Sequence, residues 1–358
     1  MARSHLTLAA LAAATVPDFD PTSVRILSAG GHGDFDAVLV ENATGKRVLV
    51  RAGNNPAADE QLTKEAFTTQ AMSAGIRSRL SFDVPTVIAR IPQPGFQALV
   101  LEYLDGQLIS VGDIQGGEGL PVSIGRAVAG IHSLPVNFVS EAGLPAFSAS
   151  EIQQQTQQLI SQARRTNLLP AVLVERWEAA GRDAGLWQFE PTVIHGSLSA
   201  DSFIIGADSV SAVLGWSSLR VGDPAWDLHW LVNVSTQAQE AAFGAYIAAR
   251  EPSADPRLTQ RAVLYSELEL ARWLLHGVEK QDQSIIDDAV DMLDRLVDTV
   301  NSEGENTVGV GTQPVLTVTE VAELLEETPG DITDLATRDY RGMEPVTDDQ
   351  RSSNSLSE

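Results

Sequence analysis

The sequence predicts an α+β protein of two unequal lobes, a small β-rich one and then a large helical one, followed by an acidic tail. Three observations carry that prediction. Between residues 24 and 104, short runs rich in Val, Ile and Leu are separated by turn residues. From about Pro121 to Val300, apolar residues recur instead at helical spacing. Beyond Asn301, Gly, Thr, Ser and acidic residues dominate, and thirteen acidic residues face three arginines, the composition of a solvated, disordered segment. The resulting divisions are an N-terminal helix over 1–23, the β-rich lobe over 24–104, the helical lobe over 105–300 and the tail over 301–358.

Each element has its own reason. Residues 6–16 are apolar and Ala-rich behind Arg3 and His5, like the core of a secretory signal. No cleavage site is set off by a polar stretch, however, and Leu8, Leu11 and Val16 suit a helix packed on the small lobe. Strands are expected over 24–28, 36–41, 47–52, 86–91 and 96–103, with turn chemistry at Asn42, Ala43, Thr44 and Gly45. Leu62, Ala66, Phe67, Ala71 and Met72 mark a helix over 57–74. In the large lobe, helices are expected around Ile124, Val128, Ile131 and Leu134, and over 152–168, 172–184, 238–250, 257–276 and 284–300. Leu316 to Glu327 has the spacing of one amphipathic helix, either transient without a partner or a docking peptide for a protein.

Composition narrows the function. At 358 residues and 43% hydrophobic content the chain can bury a large core. No run approaches the roughly 18 apolar residues of a membrane span. A formal charge of −24 excludes nucleic acid and anionic membrane as general partners, since phosphate backbones are met by clustered Lys and Arg. The absence of cysteine fits a reducing compartment, here the cytoplasm, and rules out thiolate metal sites.

The most informative stretch runs from Val193 to Trp230. It reads Val-Ile-His-Gly-Ser-Leu-Ser-Ala-Asp-Ser-Phe, then Leu-Gly-Trp, then Gly-Asp-Pro-Ala-Trp-Asp-Leu. This resembles the aminoglycoside/macrolide phosphotransferase family, whose fold is that of the protein kinases. In that family the pattern is His-Gly-Asp-x-x-x-x-Asn, a strand ending in Asp-Trp or Asp-Phe, and Gly-Asp-Pro-x-x-Asp-Leu. The resemblance covers roughly residues 24–300. Without a gap, it places the catalytic Asp on Ser197, one metal-binding residue on Ser202 and the other on Gly215.

All three chemical groups are gone. Phosphoryl transfer depends on a positioned carboxylate and on metal ions that neutralise the phosphates. A serine hydroxyl is a poor substitute for either, and Gly215 offers no side chain. Loss of a general base alone costs about 10² to 10⁴ in rate. Tight Mg²⁺ binding is therefore not expected.

Other positions keep their partners. The resemblance gives His195, Asp223 and Asp227 the work of holding the loop and the helix after it. It puts Gly31 and Gly33, within Gly30-Gly31-His32-Gly33, over a nucleotide's phosphates, where close approach favours glycine. Arg51 takes the place of the phosphate-contacting lysine, with Glu65 as its helix partner and Glu60 as the runner-up. Arg51–Glu65 serves equally well as a plain lobe-stabilising ion pair. The main chain from Leu101 to Gly106, with Glu102 and Leu104 as its nucleotide contacts, corresponds to the hinge that meets a purine edge. Trp216, Trp226 and Trp230 are expected in the packing, not in a substrate cage.

The expectation is a pseudokinase that binds ATP, GTP, a small molecule or a protein at the interlobe cleft. One alternative keeps phosphotransfer through a relocated carboxylate, Asp201 foremost, with Asp208 and Asp223 behind it. Another is a scaffold whose cleft is closed.

Overall fold

Side-chain alternation decides how the small lobe is built. The computed structural model describes residues 4–28, 34–93, 95–116, 119–251 and 255–303. Five antiparallel strands, β1 (Pro21–Ser28), β2 (Phe35–Asn42), β3 (Arg47–Gly53), β4 (Val87–Gln93) and β5 (Phe96–Glu102), lie in the order β1-β2-β3-β5-β4. One face carries Val38, Val40, Val48, Val50, Ala98 and Val100, and helix α1 (His5–Thr15) covers it with Leu8, Ala9 and Ala12. The N-terminal segment is thus a structural element of the lobe. The opposite face carries Leu49, Leu99 and Leu101 and receives Leu62 and Ala66 of α2 (Pro56–Ala71). A period of two therefore turns Arg51 toward α2.

Local chemistry sets the joints. Asn42 Oδ1 accepts from the N–H groups of Thr44 and Lys46 at 3.1 and 2.9 Å, closing the β2–β3 turn. Asn55 caps α2 through Ala58 N–H at 2.9 Å, with Pro56 in the first turn. The helix expected to run to residue 74 stops at Ala71, because the Ser73 hydroxyl accepts from Ile76 N–H at 3.3 Å and starts α3 (Ala74–Arg77). Arg77 then braces the junction, donating to the carbonyls of Thr69, Met72 and Val84 at 2.8, 3.0 and 2.6 Å.

The helical lobe holds α4 (Leu120–His132), α5 (Asn137–Glu141), α6 (Ala149–Arg164), α7 (Ala171–Arg182), α8 (Thr236–Arg250), α9 (Leu258–Lys280) and α10 (Gln283–Glu303). Ile124, Val128 and Ile131 of α4 share one core with Leu264, Leu268 and Leu274 of α9 and Leu293 of α10. Two small sheets sit at the lobe's upper edge. One pairs β10 (Arg220–Gly222) with β7 (Thr192–Ile194), and the other orders β6 (Gln107–Leu108), β8 (Phe203–Gly206) and β9 (Ser209–Val213) as β6-β8-β9.

The α2–α3 junction enters the helical lobe's core through Met72 and Ile76, and two further stretches join the lobes. Residue Asp83 bridges to β9, its N–H donating to Ser211 O at 2.8 Å and its carbonyl accepting from Val213 N–H at 3.0 Å. The chain then enters β4, and returns from β5 through residues 103–106 into β6. Glu102 N–H donates to Thr86 O at 2.9 Å, tying the two crossings together. The Gly30–Gly33 loop and residues 304–358, with the helix expected from Leu316 to Glu327, lie outside the described residues.

Candidate functional site

The loop after β7 is held from beneath by one carboxylate. Asp227 Oδ2 accepts His195 N–H at 2.6 Å, and Oδ1 accepts Gly196 N–H at 2.8 Å. His132 Nε2 lies 3.2 Å from Oδ2, and its Nδ1 lies 2.8 Å from the Tyr246 hydroxyl. Asp227 is fully buried. Burial pushes its carboxyl up, but the His132 hydrogen bond, the two imidazoles and the Gly196 N–H outweigh it and hold the group below the usual carboxylate range. His132 and Tyr246 were not legible in the sequence, because His132 ends an apolar helix stripe and Tyr246 sits over a hundred residues away.

Asp223 holds the next segment. Arg261 approaches it through Nε at 2.7 Å and Nη2 at 3.0 Å, Tyr265 OH donates at 2.8 Å, and Ala225 N–H donates at 2.9 Å. Both members of the ion pair are buried. Asp223 is therefore occupied as an anchor.

Around the loop, the side chains that replace the expected ligands each have a local role. His195 is completely buried, and burial, above all, keeps its imidazole below the ordinary value despite nearby Asp227. In the neutral tautomer with Nε2–H, the ring donates to Leu214 O at 3.0 Å and turns Nδ1 toward the Ser197 hydroxyl at 3.5 Å. Ser197 is exposed, with Gly215 O 3.4 Å from its hydroxyl. Ser202 is buried; its hydroxyl accepts Ser199 N–H at 3.2 Å and its carbonyl accepts Leu214 N–H at 2.8 Å. The Ser199 hydroxyl also bonds the exposed carboxylate of Asp201. Gly215 is left-handed, with φ 84° and ψ 37°, and a Cβ there would find only His195 Cε1, at 3.9 Å.

These residues do not fit a hard divalent cation. Mg²⁺ takes carboxylate or amide oxygens at short range, whereas Ser202 spends its hydroxyl on a turn and Gly215 has nothing to offer. Among the described residues no group of three or more His, Asp or Glu is placed to hold a metal.

The small lobe brings its expected pair together. Arg51 Nη1 lies 2.9 Å from Glu65 Oε2, and the guanidinium sits 4.5 Å from the Phe35 ring centroid. Glu60 instead pairs with Lys64 at 2.8 Å on the surface. At the hinge, Glu102 N–H is taken by Thr86, while the main chain of Leu104 has no hydrogen-bond partner among the described residues. Arg47 clips this segment, meeting Asp105 at 2.5 Å and the Tyr103 ring at 5.0 Å. Gly31 and Gly33 lie outside the described residues. Asp208, with φ 69°, is exposed at the β8–β9 turn.

A model of the phosphotransferase enzyme family matches residues 25–264, well over half of the chain. The chain belongs to the phosphotransferase enzyme family. Its fold is shared with macrolide 2'-phosphotransferase MphH from Brachybacterium faecium, at 21% identity and a TM-score of 0.66 over 80% of this chain and 97% of that one. The GDP and kanamycin complex of APH(2'')-IIIa gives 18% identity and a TM-score of 0.67, covering 83% and 99% of the two chains. The streptomycin–ATP ternary complex of APH(2'')-IIa gives 18% and 0.58, covering 82% and 97%. A search of curated protein sequences finds no match to this chain.

The tryptophans of the family motif divide. Trp216 is fully buried, its Nε1 donating to Val213 O at 2.7 Å, and Trp230 is also buried. Trp226 packs against the core as expected and also borders a cavity. It is half-buried and donates to Gly196 O at 2.9 Å. Its indole draws the Arg220 and Arg272 guanidinium groups to 5.6 and 4.5 Å from the ring.

Proposed function

We propose that this protein is a pseudokinase of the phosphotransferase enzyme family, binding ATP or GTP, and a small molecule or protein, without efficient phosphotransfer. One observation carries the reading: Ser197, Ser202 and Gly215 stand together where the resemblance calls for a carboxylate base and two metal ligands, in a loop that Asp227 still holds. Binding is supported by the Arg51–Glu65 pair at 2.9 Å and, among the described residues, by unpaired main-chain groups at Leu104. Related structures that hold GDP or ATP give the nucleotide class. Without carboxylate ligands, Mg²⁺ adds little to nucleotide affinity. The reading places the protein in the cytoplasm, with Leu316 to Glu327 as the segment for any protein partner. No helix among the described residues is long and apolar enough to cross a membrane.

Calorimetric titration of the full chain with ATP and GTP, with and without Mg²⁺, tests this. The expected result is nucleotide binding in which Mg²⁺ changes affinity by no more than about threefold, with turnover near background. Absence of binding by either nucleotide would favour a scaffold with a closed cleft.

A second reading rests on Asp201, whose carboxylate is exposed in the same loop. Robust turnover that survives Ser197→Ala but collapses in Asp201→Asn would establish it.

A further inference from the structure

Behind the loop lies a second concavity that the nucleotide reading does not use. Its volume is about 130 Å³, and it is lined by Ile194, Arg220, Gly222, Trp226, Tyr265 and Arg272, with α6 at its rim. Drug-sized ligands occupy sites of roughly 300 to 1,000 Å³. This space therefore suits a head group and not a whole antibiotic-sized molecule.

Its chemistry is cationic in an otherwise acidic protein. Arg220 spends Nη1 on two carbonyls, Gly196 O at 3.4 Å and Ser218 O at 3.0 Å. Among the described residues its Nε and Nη2 hydrogens have no acceptor, and no carboxylate forms an ion pair with it. Arg272 gives Nη1 to Glu269 at 2.8 Å in a half-buried pair, and its other donors have no acceptor among the described residues. The hydrogen-bonding positions of the nearby carboxylates are already taken, and Asp227 acts on Arg220 only through its field. Asp223, which lines the cavity, is met bidentately by Arg261 and by Tyr265 OH, and Asp227 is filled by His132 and the N–H groups of His195 and Gly196. Trp226 lies against both guanidinium groups, at 5.6 Å from Arg220 and 4.5 Å from Arg272, and so holds them on the same wall.

We propose that this cavity binds the oxyanion head group of a small acidic ligand, received by Arg220 and Arg272 beside Trp226. Planar guanidinium donors match the geometry of both carboxylate and phosphate oxygens. The site touches the reaction loop directly, since Gly196 O accepts from both Trp226 Nε1 and Arg220 Nη1, one residue before Ser197. A glycine is required there: φ is +86°, and a Cβ would overlap the Arg220 guanidinium and the Ser218 carbonyl. Occupation of the cavity is thereby felt at Ser197. The selectivity it implies is for anions, the reverse of a pocket for polycations.

The test is titration of the full chain with inorganic phosphate, glucose 6-phosphate and benzoate, with spermidine as the cationic control, read by tryptophan fluorescence and calorimetry. At least one oxyanion is expected to bind and to change the fluorescence, spermidine is not, and the anion that binds identifies the head group. Arg272→Gln, which removes the pair with Glu269 and the contact with Trp226 but leaves the core intact, should weaken binding about tenfold or more, the worth of one charge-assisted hydrogen bond, with the chain still folded by circular dichroism. Arg220→Gln should weaken it at least as much, and Trp226→Phe should remove the fluorescence response. If Arg220→Gln fails to fold, Arg272→Gln decides alone. Failure of all three anions to bind, or undiminished binding in Arg272→Gln, overturns the proposal.

Discussion

At Ser197, Ser202 and Gly215 the three substitutions differ in what each leaves behind. Ser197 is exposed, so an aspartate there meets solvent. Gly215 has open space on its Cβ side, and the left-handed conformation costs a non-glycine residue about 1 kcal/mol, with Asp among the more tolerant. Ser202 is buried and caps the turn through Ser199 N–H at 3.2 Å, so the larger Asn has to displace a working contact. We therefore expect Ser197→Asp with Gly215→Asp to fold normally yet remain inactive, because base and metal ligands act as a unit. Adding Ser202→Asn should introduce Mg²⁺-dependent ATP hydrolysis together with the largest stability loss of the three. Urea denaturation and phosphate release measure the two effects; hydrolysis by the double variant would contradict the argument. The three positions are read from the ungapped motif spacing, and folding brings the Ser197 hydroxyl to 3.4 Å from Gly215 O. The cavity of Arg220, Trp226 and Arg272 was not legible in the sequence, because β10, the turn after it and α9 are brought together only by folding.

Among the elements, the five strands were readable from alternation of Val, Ile and Leu, and the long helices from their apolar stripes. The short α3 and α5 and the two-residue β6 escaped because fewer than two turns, or two strand positions, carry no period. Helix α1 is the instructive case. Its alanine-rich sequence superficially resembles a targeting segment, but its apolar spacing favours a structural helix, and Leu8, 1% exposed, and Ala12, 0% exposed, close the outer face of the five-stranded sheet. Leu8→Ala removes a filled site between helix and sheet and should cost about 2 to 5 kcal/mol in chemical denaturation. A cost under about 1 kcal/mol, the range of ordinary surface changes, would show that α1 is not part of the lobe's core.

Over the whole molecule, the two buried groups beneath the loop contribute to acid sensitivity. His195 has its pKa lowered by burial, so its contribution is fully present above the unfolded value of about 6.5 and is lost as pH falls toward the folded value. Asp227, also lowered overall, contributes above about pH 4 and loses that contribution as pH falls through its folded value. Stability should therefore decline in two stages on acidification, with a slope of at most about 1.4 kcal/mol per pH unit for each proton. The urea midpoint tracked from pH 8 to pH 5 reports the first stage, which His195→Asn should abolish; a flat midpoint in the natural protein would refute it. The paired crossings between the lobes act at this scale too. Two strands side by side, tied by Glu102 N–H to Thr86 O at 2.9 Å and clipped by Arg47 on Asp105, work together with the α2–α3 junction, whose Met72 and Ile76 lie in the helical lobe's core. A single strand would leave the small lobe tethered at one point, whereas these contacts fix it at several. Any change in the width of the cleft therefore has to bend or break more than one of them.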